Sequence, residues 1–172
     1  MSIKPLDGIE GVRPGAYLYN YRDKITSIFF SKKINITKGD YLDTALLTLD
    51  SMRIVFDIYT SRITRVSICN GDSNKIEGTN ISIGIKVSEL LTYHKSDWDS
   101  DEYCLWNVNF PGMFFKFLSG NQAFLMEKID SYADCALSEI GMIAPDENGD
   151  FDIYGIEWYE KKERIRSSWE NI

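Results

Sequence analysis

The sequence predicts an α+β fold, a single domain over residues 1–172 made of a mostly antiparallel, twisted sheet built from hairpins with about three helices packed on it. Three observations carry that reading. Apolar residues alternate with polar ones from Met52 to Cys69, the period of a half-buried strand pair. Elsewhere they recur at three and four residues, the period of a helix face. A chain of 172 residues that is 44% hydrophobic and 13% aromatic has enough apolar material for one core.

Residues 1–15 contain Pro5, Gly8, Gly11, Pro14 and Gly15, so the chain opens on irregular structure. Ala16 to Tyr21 and Ile25 to Ser31 are aromatic and β-branched around the polar Arg22-Asp23-Lys24, which fits a hairpin; a helix over Tyr17 to Phe30 is the alternative. Ile34-Asn35-Ile36 reads as extended. Thr37 lies three residues ahead of Asp40 in a variant of the capping box, and Tyr41, Leu42, Ala45, Leu46 and Leu49 then share a helical face.

Met52, Ile54, Phe56 and Ile58, then Thr64, Val66 and Ile68, define an antiparallel hairpin whose wet face would carry Arg53, Asp57 and Arg65. After a loop at Gly71 to Asn74, Ile81-Ser82-Ile83 is extended. Val87, Leu90, Leu91 and His94 follow at helical spacing. Tyr103 to Val108 and Met113 to Leu118 form a hairpin turning at Asn109-Phe110-Pro111-Gly112. Extended piece, helix and hairpin thus occur in that order over 34–69 and again over 81–118, as two degenerate repeats would. Leu125, Ile129, Tyr132, Ala136 and Ile140 then predict an amphipathic helix over Asn121 to Ile140, closed by Gly141. Asn148-Gly149 predicts a tight turn, and Phe151 to Tyr159 and Glu163 to Ser168 the last strands.

The net charge of −7 is unevenly placed. Asp97 to Glu160 holds fourteen acidic side chains against Lys116 and Lys128, a local charge of −12, while the remainder of the chain is weakly basic. An acidic protein lacks the basic surface that nucleic acid or anionic lipid demands, so neither is an expected partner. No apolar run has membrane-spanning length, and Met1 to Leu6 lacks the apolar core of a signal peptide. Cys69, Cys104 and Cys135 form no C-x-x-C pair and read as reduced thiols, which with the missing signal points to the cytoplasm.

No catalytic, cofactor or metal set is legible. The single histidine, His94, has no nucleophile elbow or cysteine signature with it, and one His with three scattered Cys lacks zinc-ligand spacing. Asp146 to Asp152 is rich in oxygens, but Gly149 precedes Asp150 and Gly155 stands where a calcium loop needs its glutamate. Phosphate-binding glycine motifs are missing. The densest cluster is Lys95 to Glu102, four acids around one Trp in a polar connection expected to be an exposed loop. Asp97, Trp98, Asp99, Asp101 and Glu102 are therefore the candidate partner-binding residues: the indole can anchor while the carboxylates meet Lys and Arg. The competing reading is a solvated loop whose Trp folds back onto the core.

A small acidic α+β chain with strand pairs such as Met52-Arg53-Ile54-Val55-Phe56-Asp57-Ile58 and Ile63-Thr64-Arg65-Val66-Ser67-Ile68, and without an active-site motif, resembles the immunity proteins of bacterial toxin systems, including contact-dependent growth inhibition. The doubled order of Ile34 to Cys69 and Ile81 to Leu118 resembles the tandem-repeat inhibitors typified by the β-lactamase inhibitor protein. The resemblance implies inhibition by binding a cognate toxin domain, often a basic nuclease. A carboxylate-dependent hydrolase or lyase is the alternative from the enzyme class. A structural or regulatory module whose acidity only solubilises it is the third reading.

Overall fold

The computed structural model describes residues 2–5, 7–30, 34–39, 43–69, 74–99, 104–117, 133–146, 149 and 151. In chain order these form β1 (Ser2–Lys4), β2 (Gly8–Ile9), a 3-10 turn (Leu18–Tyr21) running into α1 (Arg22–Phe30), β3 (Ile34–Lys38), β4 (Thr44–Leu49), β5 (Met52–Asp57), β6 (Ile63–Cys69), β7 (Lys75–Ile76), α2 (Val87–Tyr93), β8 (Ser96–Asp99), β9 (Cys104–Asn107), β10 (Met113–Phe117) and β11 (Leu137–Ile143). The class is the expected one, α+β and mostly antiparallel, with two α-helices among the described residues.

Among the described residues, an eight-stranded sheet runs in the order β3-β4-β5-β6-β11-β10-β9-β8, and a three-stranded one in the order β2-β1-β7. Every neighbouring pair in the large sheet is antiparallel. It consists of two four-stranded meanders, β3 to β6 and β8 to β11, whose last strands pair, Ile68 opposite Ile140 and Val66 opposite Met142. In the second segment, the helix α2 and the β9–β10 hairpin are present, but Ile81–Ile83 form loop, isolated bridge and turn rather than a strand, and β8 intervenes, so the expected repeat is not confirmed. In the first the helix step is a strand.

The core lies on one face of this sheet. Leu47, Leu49, Met52, Ile54, Val66, Ile68, Leu105, Met113, Phe115, Phe117, Ile140 and Met142 project to it and meet Val87 and Leu90 of α2 and Ile3, Ile9 and Ile76 of the small sheet. Leu18, Tyr21 and Ile25 pack against the same cluster. Their spacing of three and four is helical, which is why the hairpin expected over Ala16 to Ser31 is replaced by the 3-10 turn and α1. The helix expected over Tyr41 to Leu49 gives way to β4 at Thr44–Leu49, because both flanks of that segment are taken by strands, Leu47 pairing with Ile36 on one side and Ile54 on the other.

The β5–β6 hairpin stands where the alternation places it, with Arg53 exposed and Met52 and Ile54 buried, and the β9–β10 hairpin where the turn at Asn109 to Gly112 places it. Asp57 departs from its expected wet position and is only 6% exposed. Its Oδ1 accepts hydrogen bonds from the amides of Tyr59 (2.9 Å) and Thr60 (2.8 Å) and from Thr60 Oγ1 (3.1 Å), so the carboxylate is spent on closing the turn.

The helix expected over Asn121 to Ile140 is overturned at its C-terminal end, where Leu137–Ile143 form β11 between β6 and β10; residues 118–132 lie outside the described set. Gly141 is therefore a mid-strand residue rather than a helix cap. It sits opposite Phe114, and a Cβ there would come within 2.2 Å of that ring. Gly149 has the positive φ of a turn glycine at 88°, while Asn148 and the strands expected from Phe151 onward lie outside the described residues apart from Phe151 itself.

Candidate functional site

The part of the acidic segment at Ser96–Asp99 is a strand. Ser96–Asp99 form β8 at one edge of the large sheet, not the expected loop, because each residue finds a partner on β9: Ser96 opposite Asn107, Asp97 opposite Trp106, Trp98 opposite Leu105 and Asp99 opposite Cys104. Alternation along β8 separates the candidate residues. Trp98 shares the core face with Leu105, whereas Asp97 and Asp99 share the opposite one.

Trp98 is half-buried and its ring stacks on Phe117, centroids 6.1 Å apart and planes 17° from parallel. The indole thus ties the edge strand to the core. Asp97 is exposed. Asp99 accepts a hydrogen bond from Trp106 Nε1 at 3.0 Å. Asp101 and Glu102 lie outside the described residues.

A feature invisible to composition continues from there across the sheet. Trp106 meets Phe114 edge to face at 5.6 Å, and Phe114 lies beneath the Arg65 guanidinium, 4.9 Å from the ring centroid, with Lys116 Nζ at 5.9 Å. The row runs carboxylate, indole, phenyl ring, guanidinium, and spans β8, β9, β10 and β6. Gly141 of β11 makes it continuous, since a side chain there would fill the space of the Phe114 ring. Cys104, Trp106 and Phe114, with Ile143 against them, form a second apolar cluster on this face. The sequence signal was available in the hairpin register, which brings Trp106 and Phe114 together, and in a glycine facing an aromatic.

The row is flanked by an ion pair and a silent thiol. Arg53 bridges to Glu139 at 3.4 Å. Cys69, in register with Glu139, is buried, and burial followed by the Glu139 charge pushes its thiol up to about 12, so it is no nucleophile near neutrality. Elsewhere, Lys86 and Asp134 pair at 2.9 Å, and that hydrogen bond raises the lysine pKa.

His94 lies just past α2 in extended conformation, its amide donating to Leu90 O at 2.9 Å, rather than on the helix face. It borders an open cleft of about 810 Å³ with Tyr93, Lys75 and Glu77. Its Nδ1 is buried and has no hydrogen-bond partner among the described residues, so neither a carboxylate nor a hydroxyl orients the ring there. A smaller cavity of about 220 Å³, walled by Pro14, Phe110, Pro111, Met113, Met142 and Phe151 with Arg13 beside them, is mainly apolar.

Among the described residues no three His, Cys, Asp or Glu side chains gather as a metal site, and no helix is long and apolar enough to cross a membrane. No family model matches the chain, and no curated protein or solved structure matches it either.

Proposed function

We propose that this protein is an immunity or inhibitor protein that binds and neutralises a cognate, basic toxin domain of the nuclease type in the bacterial cytoplasm. One observation carries the reading: Ser96–Asp99 of the acidic segment form an edge strand among the described residues, with Asp97 exposed and Asp99 accepting from Trp106. Carboxylates on a rigid strand are set out before a partner arrives, which limits the ordering cost of association. A nucleic-acid-cleaving toxin presents a basic surface to its substrate, and complementary charge raises the rate of encounter by orders of magnitude at low salt. Trp98, turned toward Phe117, supports the strand in this picture, while Asp97, Asp99 and the sequence neighbours Asp101 and Glu102 supply the charge.

The test is co-expression with, and pull-down of, the product of the adjacent upstream gene. Protection and capture are expected; failure of both would overturn the reading. Within a captured complex, Asp97→Lys should slow association about tenfold at low ionic strength and leave dissociation nearly unchanged, the signature of steering by an exposed charge. An unchanged on-rate in stopped-flow would remove β8 from the interface.

A second reading, a carboxylate-dependent hydrolase or lyase, has the cleft at Tyr93, His94, Glu77 and Lys75 in its favour. It requires that His94→Ala abolish a hydrolytic or elimination activity found in the wild-type protein.

A further inference from the structure

We propose that the apolar cavity of about 220 Å³ beside Arg13 is a binding site for a small hydrophobic monocarboxylate, with the body of the ligand in the cavity and its carboxylate on the guanidinium. The cavity lies where β10 begins and β11 ends. Met113 and Met142 stand opposite one another there as a cross-strand pair, and both line it. Phe110 and Pro111 come from the β9–β10 turn, Pro145 from just past β11, and Pro14 from the opening segment of the chain.

The walls are set before a ligand arrives. Each proline fixes its own φ, and two of the three are also tied to β6: Gly15, next to Pro14, donates its amide to Ile63 O at 2.8 Å, and Pro145 O accepts from Arg62 Nη2 at 2.8 Å. Phe151 closes on Gly112, whose φ is 78° and where a Cβ would come within 2.2 Å of the phenyl ring. A preformed cavity spares the ligand the cost of ordering its site.

The lining decides the ligand class. Among the described residues Arg13 is its one polar side chain. The backbone offers little besides, because the prolines have no amide, Met113 N donates to Phe110 O at 3.0 Å, Ile143 N donates to Gly112 O at 2.9 Å, and Pro145 O is taken by Arg62. A sugar or nucleotide would strand its hydroxyls there. Arg13 is 59% exposed along its side chain, and its Nη2 donates to Asp7 Oδ1 at 2.8 Å. A guanidinium has several further N–H donors, so a second carboxylate can join Asp7 or displace it. Size sets the rest: an apolar cavity of roughly 150 Å³ holds benzene, so this one takes a ring with a short acid chain, and methionine sulfur favours contact with a ring. The site is separate from β8 and does not rest on the function proposed above.

The test is a titration of the full chain, carrying ¹³C at its methionine methyl groups, with 3-phenylpropanoate, 3-phenylpropanamide and acetate. The acid should shift the Met113 and Met142 signals with a Kd of about 0.1 to 1 mM, a reasonable strength for so small a molecule. The amide should bind about tenfold more weakly, and acetate, which has no apolar body, should leave both signals in place up to about 10 mM. Arg13→Leu should remove the difference between acid and amide. Asp7→Asn takes away the competing carboxylate, so it should tighten the acid about threefold and leave the amide unchanged. Both substitutions are at exposed positions, and the ligand-free methionine spectrum should show the fold intact. Equal affinity for acid and amide in the wild type would overturn the proposal, as would acid binding that Arg13→Leu does not weaken. So would the absence of any shift at Met113 and Met142 with about 10 mM acid, a concentration well above the expected Kd. None of these results depends on whether a toxin partner is found.

Discussion

The two meanders of the large sheet differ in how many of their faces are buried. In the first, β4 and β5 bury mainly one face: Leu47, Leu49, Met52 and Ile54 are under 4% exposed, while the opposite face is buried at its Thr44–Asp57 end and carries Arg53 into water. In the second, β9 is buried at all four positions and β10 at four of five. Phe115 and Phe117 join the main core, while Trp106 and Phe114 join the cluster on the opposite face. The first meander is an aliphatic half-sheet ending in the exposed strand β3. The second is aromatic, closed on both sides, and ends in a strand held by Trp98 and Asp99. The edge strand β8, which the proposed function assigns to a partner, belongs to the second, where Trp98 and Asp99 are held by Phe117 and Trp106.

The comparison breaks most visibly under truncation of a core aromatic. Phe115 is 0% exposed in the second meander, and Phe115→Ala should cost about 4 kcal/mol by chemical denaturation. Ile54→Val in the first should cost only about 1 kcal/mol. Both side chains belong to one core cluster, so the two variants should unfold in a single transition. Separate transitions would show that the meanders are independent units.

The same difference explains what could be read from sequence. A strand with one wet face announces itself by alternation, so Met52 to Cys69 was legible, and the turn at Asn109 to Gly112 marked β9 and β10 even without a wet face. β4 was misread because Ala45, Leu46 and Leu49 fit a helix face as well as a strand; β3 and β5 on either side decide between them, and neither is a local signal. β11 was lost for a similar reason. Ala136 and Ile140 are four apart, yet Leu137–Ile143 lie between two strands far away in sequence. At the site, the charge of Asp97 and Asp99 was plain, whereas the duties of Trp98 and Asp99 depend on Phe117 and Trp106 across the pleat.

A sharper probe is Gly141, where the second meander's two-sided packing is tightest. Gly141→Ala should cost about 2 kcal/mol, since a methyl group 2.2 Å from the Phe114 ring forces that ring aside. Displacing Phe114 should also loosen Trp106 and, through its indole, Asp99. Hydrogen exchange in β8 and β9 should therefore rise in this variant more than in β4 and β5. Equal changes in both halves would mean that the aromatic row does not hold the acidic edge.

The smallest effect at neutral pH is expected at the seam, where Cys69 of the first meander lies against Glu139 of the second. Cys69→Ala removes one small buried group and should change stability at pH 7 by about 1 kcal/mol or less. At alkaline pH the sign is fixed by the shift. The thiol is raised from an ordinary value near 9 to about 12, first by burial and then by the Glu139 charge. Above pH 9 an unfolded chain releases this proton while the folded chain still holds it. The thiol's contribution is thus intact below about pH 9 and is lost as pH climbs toward 12. Denaturation midpoints of the wild type should fall over that window more steeply than those of Cys69→Ala. Parallel curves would show that Cys69 ionises as freely in the folded protein as in water, and that the seam between the meanders is open to solvent.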